Sequence, residues 1–245
     1  MQMQWPFSLI TRCFSTEIIG HHMSLCYVAV MQPRIQEYRF STEKGPDYYR
    51  VYEKKFASLQ EKPVTLLELG VANGGSLQVW KDYFPHGTIV GLDQSPPPLH
   101  DPSGRIHLYQ GLQQDIDLLD RISNECAMEG FDIIIDDASH IAAHTKTSFW
   151  HLFVHHLKPG GLYVIEDWGT GYWEYWPDGE AYTGNNHMAG MVGFIKELVD
   201  EVGSVDRISK DNPSHMAKPS RIAALEMRHG MVFVKKAELA DATIG

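Results

Sequence analysis

From residue 64 the chain alternates short apolar runs with stretches of helical period. VTLLEL (64–69), TIVGLD (88–93), RIHLYQ (105–110), FDIIID (131–136) and LYVIED (162–167) are short and rich in apolar residues. That composition fits strands covered on both faces. SLQVWKDYF (76–84), DIDLLDRISNECAM (115–128) and AAHTKTSFWHLFVHHL (142–157) read as the helices between them. Ser76 opens the first and Pro85 lies just past its end. Ile116, Leu119, Ile122 and Cys126 follow helical spacing along the second. Strand alternating with helix predicts a Rossmann-like, doubly wound α/β fold with a mostly parallel sheet. After residue 168 the rhythm breaks. GTGYWEYWPDGEAYTGNNHMAG (169–190) reads as a substrate loop, in which Tyr172, Trp173, Tyr175 and Trp176 either line a pocket or pack the loop itself. A helix near 189–202 follows, and then RIAALEMRHGMVFVKKA (221–237), two β-like runs around RHG that predict a C-terminal antiparallel hairpin. The sheet then has seven strands.

Length and composition narrow the class. A chain of 245 residues makes one large or two small domains. Residues 44–245 read as one domain and residues 1–43 as an arm, either an oligomerisation element or a leader ahead of a start at Met23 or Met31. The arm carries Trp5, Phe7, Leu9, Ile10 and Phe14 without a helical or strand face of its own, which predicts a homo-oligomer. It lacks the basic n-region and long apolar h-region of a signal peptide. No apolar run approaches the ~18–20 residues that span a bilayer. The expected setting is cytoplasmic, with no membrane partner. A net charge of −10 argues against nucleic acid as a partner and leaves a small neutral or polar substrate open. Cys13, Cys26 and Cys126 form no CxxC and read as incidental thiols.

Two places carry chemistry. LLELGVANGGS (66–76) lies at the first strand-to-helix turn, where glycines let the backbone approach a ligand. It is not a P-loop, and Ala72 stands where GxGxxG has its second glycine. Glu68 is placed to receive the amino group of a zwitterionic ligand. Asp93, closing the second strand, is placed for ribose hydroxyls. The second place is DDASH (136–140), at the carboxyl end of strand four, which IED (165–167) repeats at the end of strand five. Neighbouring strand residues point to opposite faces, so Asp136 and Asp137 serve different partners. Carboxylates gathered at one edge repel one another, and a hard divalent cation relieves that. His140, one turn from Asp137, can take a proton near neutral pH. The plain alternative makes these carboxylates N-caps of the following helices. His144, His151, His155 and His156 read as surface or interface residues, since no HExxH occurs.

These motifs, with KGPDYYRVYE (44–53), resemble the class I S-adenosylmethionine-dependent methyltransferases, and most of all the macrocin and mycinamicin sugar O-methyltransferase branch, which includes cephalosporin hydroxylase-like proteins. The resemblance covers residues 44–180 and implies an activity: metal-dependent transfer of a methyl group to a hydroxyl of a sugar or similar vicinal diol. It implies that Tyr48, Glu68, Gly70, Gly74, Ser76, Asp93, Gln113 and Asp136 serve S-adenosylmethionine, that Asp137, Glu166 and Asp167 hold a divalent metal, most simply Mg²⁺, and that His140 is the general base with Asp137 beside it. Tyr52 matches the upstream element, which closes over the cofactor in the family. Ala138, Leu112 and the region of Asp47 depart from the family pattern, where glycine, an acid and a histidine are expected. A cephalosporin hydroxylase-like oxidoreductase is the main alternative. It is disfavoured by the lack of a visible 2-His-1-carboxylate set. A dinucleotide-binding oxidoreductase fits Ala72 and the hairpin less well, and a non-catalytic binder leaves the carboxylates and His140 without a purpose.

Overall fold

A computed structural model describes residues 10–18, 21–29, 35, 39–204 and 220–238. In chain order the elements are β1 (Ile10–Ile18), β2 (His21–Ala29), α1 (Pro46–Phe56), β3 (Thr65–Leu69), α2 (Gly75–Tyr83), β4 (Thr88–Asp93) and β5 (Ile106–Gln110). There follow α3 (Ile116–Cys126), β6 (Phe131–Asp136), α4 (Ala142–His151), β7 (Leu157–Glu166), α5 (Gly190–Gly203), β8 (Ile222–Arg228) and β9 (Met231–Lys236). Seven strands form one sheet in the order β5-β4-β3-β6-β7-β9-β8. β3 to β7 run parallel, and β9 pairs antiparallel with both β7 and β8. The predicted α/β sheet and its terminal hairpin are therefore present. The strand order reverses between β3 and β6, and a crevice opens beyond their carboxyl ends.

Alternation along the strands sorts the core into two layers. Leu67, Leu69, Ile134 and Ile165 pack with Phe149 and Phe153 on one face. Leu66, Ile133, Ile135 and Val164 pack with Tyr52, Phe56 and Trp80 on the other. Period two then places Glu68, Asp137 and Glu166 toward the layer that holds α1 and α2. Ile35 is buried in that layer, so the packed body includes residues upstream of residue 44.

Three details differ from the sequence reading. α4 ends at His151, and Leu152–His156 form a π-helical turn instead of more α-helix. β7 begins at Leu157 and takes in Lys158–Gly161, because Leu157 already pairs with Phe131 before the register shifts. The arm does have strand structure: β1 and β2 pair antiparallel as a two-stranded sheet of their own. Trp5, Phe7 and Leu9 lie outside the described residues. No helix among the described residues is long and apolar enough to cross a membrane.

Candidate active site

The β3–α2 turn supplies the floor of the crevice. Gly70 has φ +80°, and a Cβ there would lie 2.1 Å from the Asp137 carbonyl oxygen, so only glycine lets β3 and β6 close together. Gly74, at φ +77°, caps α2 in the left-handed region. Asp93 closes β4 and locks the turn, its Oδ2 accepting from the backbone N–H of Val71 (2.9 Å) and Ala72 (3.2 Å). A cavity of about 460 Å³ is lined by Tyr48, Gly70, Ser76, Asp93, Asp137, His140, Glu166 and Asp167, among others. A second, of about 350 Å³, is lined by Leu92, Asp93, Leu112, Gln113, Ile141 and their neighbours. Gly70, Asp93 and Ala138 border both, so the two make one elongated cleft.

Two predicted cofactor residues take other positions. Asp136 does not face the cleft. It is buried and accepts from Gln113 Nε2 (3.0 Å), Ser148 Oγ (3.1 Å) and Tyr163 O–H (3.0 Å). Burial pushes its carboxyl up to about 6. Gln113 borders the second cavity, but its amide is engaged by Asp136 and by the Ser139 N–H at 2.9 Å. Asp136 thus braces the wall of the cleft and lines neither cavity. Glu68 is likewise buried below the cleft floor, its Oε2 accepting from Ser76 Oγ (2.7 Å) and Trp80 Nε1 (3.2 Å).

The carboxylates do converge, and around a residue that the sequence reading passed over. Lys44 Nζ pairs with Asp137, lies 2.9 Å from Glu166 Oε1 and lies 3.2 Å from Glu68 Oε1. The approach to Glu68 is an ion-pair distance without hydrogen-bond direction, which leaves Glu68 Oε1 buried with no hydrogen-bond partner. Burial alone would lower the Lys44 ammonium's pKa, but the three carboxylates outweigh it and hold the group charged. Burial, with Asp137 close by, pushes the Glu166 carboxyl up to about 8. Tyr52 O–H donates to Glu166, and Tyr48 O–H to Asp167 Oδ1 at 2.6 Å. Lys44, Tyr48 and Tyr52 come from one short segment, and each meets an acid of the cleft. Its signal was a single lysine two residues before a Pro-initiated helix, followed by tyrosines at helical spacing.

His140 Nε2 lies 3.7 Å from Asp137 Oδ1, and atoms of Asp137, His140 and Asp167 gather within 4.8 Å of one another. Ala72, His140 and Asp167 all have positive φ (43°, 50° and 49°), and all three line the cleft. Non-glycine residues held this way gather at functional sites. The His140 carbonyl is pinned by Thr170 Oγ1 (3.1 Å) and Trp176 Nε1 (3.0 Å). The capping alternative fails here. The first turn of α4 is capped by Asp178, whose Oδ2 accepts from the Ala142 N–H at 2.7 Å, and Asp167 makes no side-chain cap to the turn it precedes.

No protein-family model matches the chain. It is 39% identical over 193 residues to mycinamicin VI 2''-O-methyltransferase of Micromonospora griseorubida, which covers 76% of this chain and 47% of that protein. It is 34% identical over 192 residues to demethylmacrocin O-methyltransferase of Streptomyces fradiae, covering 76% and 47%. A crystal structure of the MycE methyltransferase of the mycinamycin pathway, in complex with Mg and SAH, superposes with a TM-score of 0.70 at 35% identity, over 88% of this chain and 57% of that one. The homologues of this chain are thus sugar O-methyltransferases acting on macrolides and tetracenomycins. The chain spans about half the length of the curated relatives that it matches. The fold matches that of MycE over most of this chain.

Proposed function

We propose that the chain transfers a methyl group from S-adenosylmethionine to a hydroxyl of a sugar or similar vicinal diol on a natural product, with a divalent metal, as a cytoplasmic homo-oligomer. The observation that carries this reading is the cluster of Asp137, His140 and Asp167 beside a cleft long enough for a nucleoside with an amino-acid tail. A neighbour of known structure, MycE, is described in complex with Mg, SAH and mycinamycin VI, which supports the same chemistry here.

The cleft fits the cofactor. Leu92, Leu112 and Ile141 offer an apolar slot for adenine in the second cavity, framed by Gln113. Asp93, at the junction of the two cavities, is placed for the ribose, and Gly70 and Ser76 border the tail. The donors also fit a hard cation, because Asp137, Glu166 and Asp167 present only oxygens. Bound there, the cation would supply Lewis acidity that lowers the pKa of the acceptor hydroxyl. His140 Nε2 removes that proton, and the neighbouring Asp137 carboxylate favours the imidazolium that results. The acceptor oxygen forms its bond to the methyl carbon as the carbon–sulfur bond breaks, leaving a methyl ether and a neutral thioether. The turn, the cleft walls and the pinned His140 hold the partners in line.

Lys44 acts as a tethered cation in this scheme. It sets a positive charge among Asp137, Glu166 and Glu68, for which a divalent cation bound by Asp137 and Glu166 would compete. The acceptor docks along an aromatic row that starts at the base. Trp176 lies 6.1 Å from the His140 ring, Trp173 5.8 Å further on, and Tyr175 stacks on Trp173 at 5.7 Å. Trp173 is 41% and Tyr175 79% exposed, faces suited to a sugar or an apolar aglycone.

The test is methyl transfer to a rhamnosylated or deoxysugar-bearing polyketide in excess EDTA. The expected result is loss of transfer with S-adenosylhomocysteine binding intact. Full activity in EDTA would end the metal reading. NAD binding with no response to either adenosyl compound would end the cofactor reading, and oxygen uptake without methyl transfer would favour the hydroxylase.

A further inference from the structure

A second cluster lies away from the cleft. α4 reaches its end at His151, and the π-helical turn Leu152–His156 leads into β7. The catalytic acids stand at the opposite end of β7. In a continuous α-helix, residues five apart sit roughly 140° round the axis, so His151 and His156 would face different ways. A π turn closes i to i+5 and sets them one above the other. Both rings then aim at one atom. His151 Nε2 lies 2.7 Å and His156 Nε2 2.6 Å from the same oxygen, Asp120 Oδ1 on α3. The three ligand atoms fall within 4.8 Å of one another. The His155 ring stands 5.4 Å from that of His151.

We propose that Asp120, His151 and His156 form a transition-metal site of the Zn²⁺ type, independent of the catalytic cleft. Two imidazoles and one carboxylate are the set that the sequence did not show, here away from the cleft, and they suit Zn²⁺, Fe²⁺, Co²⁺ or Ni²⁺ and not Mg²⁺. A clamp built only of hydrogen bonds has two carboxylate oxygens to share between two donors. Here both donors crowd one oxygen, which leaves three heteroatoms around a common point. Ligand distances of ~2.0–2.1 Å at tetrahedral angles need edges of ~3.3 Å, so the side chains spread by roughly half an ångström on binding. The histidine side chains are 15% and 18% exposed and Asp120 45%, so the point is sheltered yet reachable from solvent. By sequence these histidines read as surface or interface residues, since no HExxH occurs.

The test is a Zn²⁺ titration of the full chain, followed by calorimetry, with Mg²⁺ saturating the cleft. The wild type should take up one more equivalent of Zn²⁺ than the His151→Gln/His156→Gln variant. Glutamine there can still donate to Asp120 and hold α3 to α4, and S-adenosylhomocysteine binding should be unchanged in the variant. Equal uptake by the two proteins overturns the site. So does uptake that is lost in Asp137→Asn while the histidines remain. A second measurement needs no variant: Co²⁺ added to the Mg²⁺-saturated wild type should give the visible absorption of a four-coordinate site, and its absence overturns the proposal as well.

Discussion

His140 sits at φ +50° with its carbonyl held by two donors, so its ring position is set by the loop behind it as much as by its own rotamer. A left-handed backbone costs a non-glycine residue ~1–2 kcal/mol, which the surrounding structure must offset. His140→Ala should lower kcat by roughly two to four orders of magnitude and leave S-adenosylhomocysteine affinity intact, as checked by single-turnover kinetics beside calorimetry. Asp137→Asn should lose both turnover and Mg²⁺ binding. At Lys44 the forecast concerns stability. Replacing it with methionine leaves the buried Glu68 and Glu166, and the part-exposed Asp137, without a counter-charge, and the metal-free protein should lose ~3–5 kcal/mol in urea denaturation, with Mg²⁺ restoring part of it. Glu166 sets the pH dependence. Its carboxyl rises from 4.5 to about 8 in the fold, so the folded state binds the extra proton between those values. Stability from this group is therefore full below about 4.5 and is lost as pH rises through 8. Compared with Glu166→Gln, the metal-free wild type should show a melting temperature that falls over that window. Identical profiles for the two proteins would refute it.

Among the elements, the β3–α2 turn was legible because its chemistry is local: Gly70, Gly74 and Asp93 announce a tight turn and an acid about twenty residues on. The carboxylates of β6 and β7 were legible for the same reason, since period two and chain position suffice to gather them. The rest depends on partners distant in sequence. Lys44 reaches Asp137 across 93 positions, and Asp178 caps α4 from 36 positions away, neither of which any spacing rule joins. The π turn was hidden because its residues are apolar or histidine and read as more of α4. Asp178 matters beyond its cap, because Ala142, which it holds, lies two residues from His140. Asp178→Ala should cost ~1 kcal/mol of stability in chemical denaturation. It should also lower kcat more than it raises KM, because α4 frays at the end that carries the base. A loss of stability with unchanged kinetics would separate the cap from the site.

At the scale of the whole molecule, the seven-stranded sheet followed from strand and helix periods alone, because each crossover of a parallel sheet needs a helix and the chain alternates them. The N-terminal arm did not follow. Its apolar residues mixed with histidine and glycine give no single period, yet residues 10–18 and 21–29 pair through a full antiparallel register that sets Cys13 opposite Cys26. A two-stranded hairpin is marginal in water by itself, and β1–β2 is a sheet separate from the main one. It gains stability only by covering its surface, and the proposed homo-oligomer offers a second copy to cover it. Residues 1–34 can be removed without touching Ile35, which packs in the core, or Lys44. Light scattering of the full chain at micromolar concentration should give a dimer or larger, and the truncated chain should shift to a smaller assembly. Cofactor affinity should hold, since no residue of that segment lines the described cleft. A full chain that is monomeric would remove the oligomer, and a truncated chain of unchanged size would remove the hairpin's part in it.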